Sequence, residues 1–343
     1  MLKVKVLFDG ETIYFKILNS LNFVILGDPS IANNLGKKGT STDITIYDRK
    51  TNDQIFSYCF PNTYPDKLQP LLQSIAVSDY AILNISRLDS FLGEQILALD
   101  IFNIKKGFIL CSYEIDIEKV KSIIKKTSLS SFQILDDVEQ LKTCLSELKP
   151  SEDRENEQQT DETAGASTAT ANSVHIPIDH VFDVKGVGTV VLGCIKQGEI
   201  KTYDELEINP LNKPVVIKSI QMHDDPVNHS KRSSRVGLSI KGVSAKDVSR
   251  GDIITSPGLS KTISDSFQIE FKKNPYFKEG IVETQNYMIS VGLQIRTVKI
   301  KEIGGTKINI ALEKPIACIK NDLCIVFSPD SKTMRIMGSG HMD

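Results

Sequence analysis

Between Val181 and Leu206 the chain reads VFDVKGVGTVVLGCIKQGEIKTYDEL, and few folds accept such a stretch. Apolar residues alternate along three short runs, Val181 to Val184, Thr189 to Leu192 and Glu199 to Thr202, as in strands with one buried face. Gly186 and Gly188 flank Val187, while Gly193 and Gly198 bracket Cys194 to Gln197. Glycine reaches the positive φ of tight reversals without steric cost. A ribbon that folds back twice over so short a distance is expected in a small closed barrel.

A second segment continues the pattern: Arg235 to Val243 (RVGLSIKGV), then Lys246 to Val248 and Arg250 to Ile254. The run KGVGTVVLG…KQGEIKTYDEL followed by RVGLSIKGV…KDVSRGDII resembles the second domain of the elongation factor Tu superfamily, and within it the archaeal SelB-like branch. These motifs are specific for that barrel and much less so for what it carries, because one fold hosts many functions. The resemblance implies a multidomain α/β plus all-β chain, a P-loop GTPase-like parallel-sheet domain followed by two small β-barrels. The expected boundaries are 1–150 for the α/β domain, 151–173 for a linker, and 174–260 and 261–343 for the barrels.

With 343 residues the chain is long enough for two or three such domains. A net charge of -2 excludes binding to nucleic acid through overall positive charge, so any basic face must be local. No two of the six cysteines have CxxC spacing, and the five histidines form no HxxxH or HExxH pattern; no metal site is expected. No apolar run approaches the ~20 residues that span a bilayer, and the N-terminus lacks a signal pattern. A cytoplasmic protein is expected.

Along the first domain, Lys3 to Ile17 reads as a β-hairpin turning at Asp9-Gly10. Phe23 to Leu26 is a continuous apolar run ending at Gly27, as in a buried parallel strand feeding a loop. In a GTPase of the resembled family that loop reads GxxxxGK[ST], whose backbone amides, lysine and hydroxyl hold phosphates and Mg²⁺. Here Ala32, Asn33 and Asn34 fill the last three positions, Pro29 removes a donor and Asp28 adds negative charge. Read instead with a shortened loop, Gly36-Lys37-Lys38-Gly39 could bind an anion, and Thr40 or Thr42 could stand for the threonine that meets Mg²⁺. The plainer alternative is a solvated basic turn.

Ile44 to Tyr47 and Gln54 to Phe60 form a hairpin, after which Phe60 and its neighbours replace the family's DxxG. Pro65 is expected to open a helix with Leu68, Leu71, Leu72 and Ile75 on one stripe. Tyr80 to Ile85, Phe91 to Phe102 and Gly107 to Cys111 alternate as strand, helix and strand. Cys111-Ser112-Tyr113-Glu114 then stands where the family has NKxD. Glu114 could replace the aspartate, on an arm long enough to misplace the carboxylate. Two more helices are expected, Glu118 to Lys126 and Val138 to Leu148. The order of elements is that of a GTPase while three nucleotide motifs are missing, the combination expected of a pseudo-GTPase. The segment 151–173 is acidic and without large apolar residues, a flexible linker expected to loosen the coupling between the first domain and the barrels.

In the second domain the loop Asn228 to Arg235 concentrates positive charge. Candidate RNA contacts are Lys185, Lys196, Lys231, Arg232, Arg235 and Arg250, because a cation at a loop tip neutralises a phosphate. From Ser266 onward alternating runs read as a third, all-β domain. The leading expectation is a non-catalytic SelB-like homologue, a monomer that binds tRNA or the ribosome through its barrels and neither DNA nor membrane, without cofactor. The alternative is an active GTPase using Lys37 or Lys38 for phosphate and Glu114 for guanine, with GTP and Mg²⁺ as its ligands. A third reading is a protein-binding module.

Overall fold

The computed structural model describes residues 3–8, 11–16, 19–148 and 173–343. β1 (Lys3–Phe8) and β2 (Glu11–Lys16) pair antiparallel as a separate ribbon. This is the hairpin the sequence suggested, although its turn lies outside the described residues. β3 (Asn19–Leu26), β4 (Lys37–Ser41), β5 (Ile44–Lys50), β6 (Gln54–Pro61), β7 (Tyr80–Ile85), β8 (Gly107–Cys111) and β9 (Gln133–Leu135) make one sheet. Its order is β4-β5-β6-β3-β7-β8-β9, parallel from β6 to β9, with β4 and β5 antiparallel at one edge.

Among the described residues five α-helices cover the sheet: α1 (Pro29–Leu35), α2 (Gln69–Ala76), α3 (Ser90–Ile101), α4 (Ile117–Ile124) and α5 (Val138–Glu147). Strand alternation sends Val24 and Leu26 to the face packed by α2, α3 and α4, and Phe23 and Ile25 to the face packed by α1 and α5. Both faces are buried, so β3 reads as continuous apolar sequence. Helix α2 begins at Gln69, four residues after Pro65. Pro65 sits in a turn instead, where Lys67 N–H donates to Thr63 C=O at 2.8 Å. The stripe Leu68, Leu71, Leu72 and Ile75 is buried as expected.

The second domain is a sheet in the order Glu205–Asn209, Ile253–Thr255, His175–Val184, Gly188–Cys194, Arg235–Lys241, Lys213–Met222 and Asp225–Val227. Pairing of Glu205–Asn209 with Lys213–Met222 closes it around Ile176, Ile178, Ile217 and Leu238. Gly186, Gly188 and Gly198 have positive φ. Gly193 does not: it lies inside a strand, where a Cβ would stand 2.5 Å from the Pro177 carbonyl oxygen. Its lack of a side chain serves close strand approach, not a turn. The third domain is a seven-stranded antiparallel sheet running from the edge strand Ser266–Glu270 through Tyr287–Val291 and Ile336–His341 to the short edge strand Lys272–Lys273, around Ile289, Ile300, Ile310 and Val326.

The expected loose coupling of the first domain is overturned by its packing. Ile325, Phe327 and Ile336 of the third domain share one core with Leu68, Leu71 and Ile75 of the first. Gln73 Nε2 donates to Leu293 C=O at 2.7 Å. Arg335 clasps Glu94 on α3 through Nη2 (2.5 Å) and Nε (3.2 Å), while its Nη1 donates to Pro65 C=O at 2.7 Å. Toward the second domain, Asn22 Nδ2 donates to Ser233 C=O at 2.7 Å and Ile55 enters the barrel's core cluster. The linker foreseen over 151–173 lies, apart from Ser173, outside the described residues. The domains are joined by buried surface.

A cavity of about 260 Å³ remains where the three domains meet, lined by Val77, His175, Lys196, Leu293 and Asp322 among others. Crowding by protein atoms, and then the charge of Lys196, hold the His175 imidazole neutral down to about 4. In the unfolded chain a histidine takes its proton near the ordinary 6.5. The stability carried by neutral His175 is therefore complete above about 6.5 and lost as pH falls toward 4. Urea titrations from pH 7 to pH 4.5 are expected to lose about 2 kcal/mol at this site, and a His175→Gln variant to lose correspondingly less.

Candidate functional site

At the carboxyl ends of β3, β6, β7 and β8 a cleft of about 390 Å³ opens between the loops. Neighbouring connections leave for opposite faces here, α1 after β3 to one and α3 after β7 to the other, where open α/β sheets form their ligand crevice. Gly27 forms its floor with φ +103°, and a Cβ there would meet the Asn84 carbonyl oxygen at 2.3 Å. The loop after β3 turns at once into α1. Asp28 is the N-cap, its Oδ1 accepting from Ser30 N–H at 2.8 Å, and Pro29 follows with no N–H to offer. Across the cleft Asp89 caps α3, accepting from Leu92 N–H at 2.9 Å. Tyr64, Phe91 and Gln95 complete the wall.

Of the candidate nucleotide residues, Gly27 alone lines this cleft. Lys37 and Lys38 are exposed on β4, the edge strand that β5 and β6 separate from β3. Three strand spacings make that separation about 14 Å. The segment is thus a strand and not the basic turn expected of it, because Lys37 and Lys38 pair in register with Asp48 and Tyr47. Thr40 is half-buried on the same strand, and the Thr42 hydroxyl is spent locally on Asp43 Oδ1 at 2.9 Å. Glu114 is exposed in a turn closed by Ile115 N–H to Ser112 C=O at 2.9 Å; Ser112, not Glu114, borders the cleft. Sequence reasoning missed Asn84, Asp89 and Gln95. The only signal was their place after the buried run Tyr80 to Ile85, where the loops of a parallel sheet collect.

The six basic candidates divide. Lys185 is exposed at the tip of the hairpin after His175–Val184, Arg232 is exposed in a turn, and Lys231 is half-buried beside it. The other three are held in ion pairs within the protein. Arg235 forks onto Asp179, Nη2 to Oδ1 at 2.9 Å and Nη1 to Oδ2 at 2.5 Å, and His180 Nδ1 lies 2.6 Å from the same carboxylate. Burial pushes the Asp179 carboxyl up, but Arg235 and His180 outweigh it and hold the group below the usual range. Arg250 Nη1 donates to Asp43 Oδ1 at 2.7 Å, and Lys196 Nζ stands 3.8 Å from Asp79 Oδ1. These three cations join strands or domains and do not present free charge to a phosphate. Among the described residues no group of histidines, cysteines or carboxylates is arranged to hold a metal, and the six cysteines are free thiols.

Residues 188–255 match the family described as elongation factor Tu domain 2. The whole chain is similar to an uncharacterized protein of Methanocaldococcus jannaschii, 35% identical over 314 residues that cover 91% of this chain and 96% of the relative. The selenocysteine-specific elongation factor of the same organism is 31% identical over 239 residues, 65% of this chain and 49% of that factor. The chain therefore spans about half the length of that relative. The chain belongs to the SelB-like branch of the elongation factor Tu superfamily. Its fold agrees: translation elongation factor SelB from Methanococcus maripaludis, solved with the GTP analogue GppNHp, superposes with a TM-score of 0.75 over 95% of this chain and 79% of that structure, at 24% identity. The family's parallel-sheet domain and two antiparallel domains are all present, and the cleft lies in the parallel-sheet domain. No helix of the described residues is long and apolar enough to cross a membrane.

Proposed function

We propose that this SelB-like protein is a pseudo-GTPase, a cytoplasmic monomer that docks on tRNA or the ribosome through its barrels and keeps the first domain as a scaffold. The observation that carries the reading is the wall of the cleft. Its two helix N-termini are already capped by carboxylates, Asp28 and Asp89, and among the described residues no lysine lines it. Phosphate binding at a helix start needs free backbone donors and positive charge. Here each cap already takes one of those donors, Ser30 N–H and Leu92 N–H, and carboxylates occupy the place of the anion. The packing of both barrels onto the first domain supports a scaffold, since a nucleotide switch works by rearranging such interfaces.

Titration calorimetry with GTP and with GDP in Mg²⁺ is expected to show no binding. Sub-micromolar affinity for either would return the chain to the active GTPases. For the RNA side, alanine at Lys185, Lys231 and Arg232 together is expected to weaken RNA retention on filters. Its salt dependence is expected to flatten by about one unit of slope for each phosphate that is no longer neutralised. A slope that does not change with these substitutions would move the RNA surface elsewhere, and the absence of any salt-dependent binding would favour a protein partner.

A further inference from the structure

We propose that the cleft in the first domain binds a small organic cation, an ammonium or guanidinium carried on an apolar body. The proposal rests on the reading that no triphosphate occupies this place, and three observations lead from there to a ligand. The first is charge. Asp28 and Asp89 face the cleft from two different loops, against Arg87 as the one cation among the described residues of its lining, so the cleft carries a net negative charge. Their carboxylates accept N–H groups of their own helices, and a carboxylate has further lone pairs for a charged donor.

The second observation is an unspent amide. Gln95 lines the cleft with only 8% of its surface exposed, and its side chain makes no hydrogen bond to any described residue. Its neighbour Glu94 is turned away into the ion pair with Arg335. Its amide atoms are thus left to the cleft, and an N–H-rich cation reaching the Gln95 carbonyl would give it a partner. The third is the apolar lining. Tyr64 and Phe91 meet edge to face with ring centroids 6.4 Å apart, and the Tyr64 hydroxyl donates to Phe91 C=O at 2.9 Å, which fixes the pair. Phe60 stands at the same wall. Rings beside carboxylates suit a cation on a hydrocarbon stem, which gains from ring faces and from burial of its methylenes.

The test uses the full chain at constant ionic strength, with agmatine and spermidine as cationic probes and GTP with Mg²⁺ and inorganic phosphate as anionic ones. Calorimetry is expected to show one equivalent of a cationic probe bound and no anion. In a D28N/D89N variant, where asparagine still caps both helices, Kd is expected to rise at least tenfold with little change in the melting temperature of the free protein. In Q95L it is expected to rise severalfold. Failure of both cationic probes to bind overturns the cation site while leaving the pseudo-GTPase reading in place. Binding unaltered in both variants also overturns it, by placing the cation elsewhere. Binding of GTP overturns both readings.

Discussion

Replacing Glu94 by alanine is expected to lower the free energy of unfolding by about 3–5 kcal/mol. Glu94 and Arg335 are 3% and 8% exposed, and they join α3 of the first domain to the last strand region of the third. Without the carboxylate, the guanidinium keeps only the Pro65 carbonyl and the Tyr64 ring beneath it at 5.6 Å. A charge left buried without its counter-ion costs more than the pair contributed, which is why breaking a pair hurts more than replacing it. The double variant Glu94→Leu/Arg335→Met is accordingly expected to recover most of the loss. Denaturant titration of the three proteins checks the order of stabilities. A Glu94→Ala loss below about 1 kcal/mol would mean that water reaches the pair and that the first and third domains are not locked.

Arg235→Ala is expected to cost a similar amount, about 3–5 kcal/mol, and for a reason that bears on function. Its fork onto Asp179 lies within the second domain, tying Arg235–Lys241 to His175–Val184 across the intervening strand Gly188–Cys194. Lysine is not an adequate substitute, because one ammonium cannot satisfy both carboxylate oxygens in that geometry. Because Asp179 is held ionised below its ordinary range, the stability it carries is complete above the unfolded value near 3.8 and disappears as pH falls through the lower folded one. The cost of Arg235→Ala should therefore shrink in strong acid, as read from denaturation midpoints at pH 7 and pH 3. Under conditions where the variant remains folded, the salt slope of RNA binding is expected to be that of the unaltered protein. A lowered slope would put Arg235 on the RNA after all.

The division among the basic residues shows where sequence reasoning stops. Arg235, Arg232 and Lys231 are near neighbours in sequence and alike in residue type. Their fates differ because Asp179 lies across the barrel from one of them and not from the others. Arg250 and Lys196 are neutralised by Asp43 and Asp79, carboxylates of another domain. A spacing rule has no access to a partner separated by 207 positions, as Arg250 is from Asp43. The Gly36 to Gly39 segment departs from its expected form for a related reason. Two glycines and two lysines look like a turn locally, but the free edge of β5 offers ladder hydrogen bonds that outweigh local preference.

By itself the sequence determined the alternation of buried strands and helices from Phe23 to Leu148 except for the helix Pro29–Leu35 and the strands Lys37–Ser41 and Gln133–Leu135, the glycine-bounded hairpins of the second domain, the superfamily, and the absence of a GxxxxGK[ST] run after the first buried strand. Each of these is written in residue types at short, fixed separations, where backbone geometry acts directly. The tertiary structure alone decided that the three domains are locked together, which cations are free, and that Asp28, Asp89 and Gln95 face one cleft. Those are consequences of burial and of pairing between distant charges, and neither exists until the chain has closed on itself.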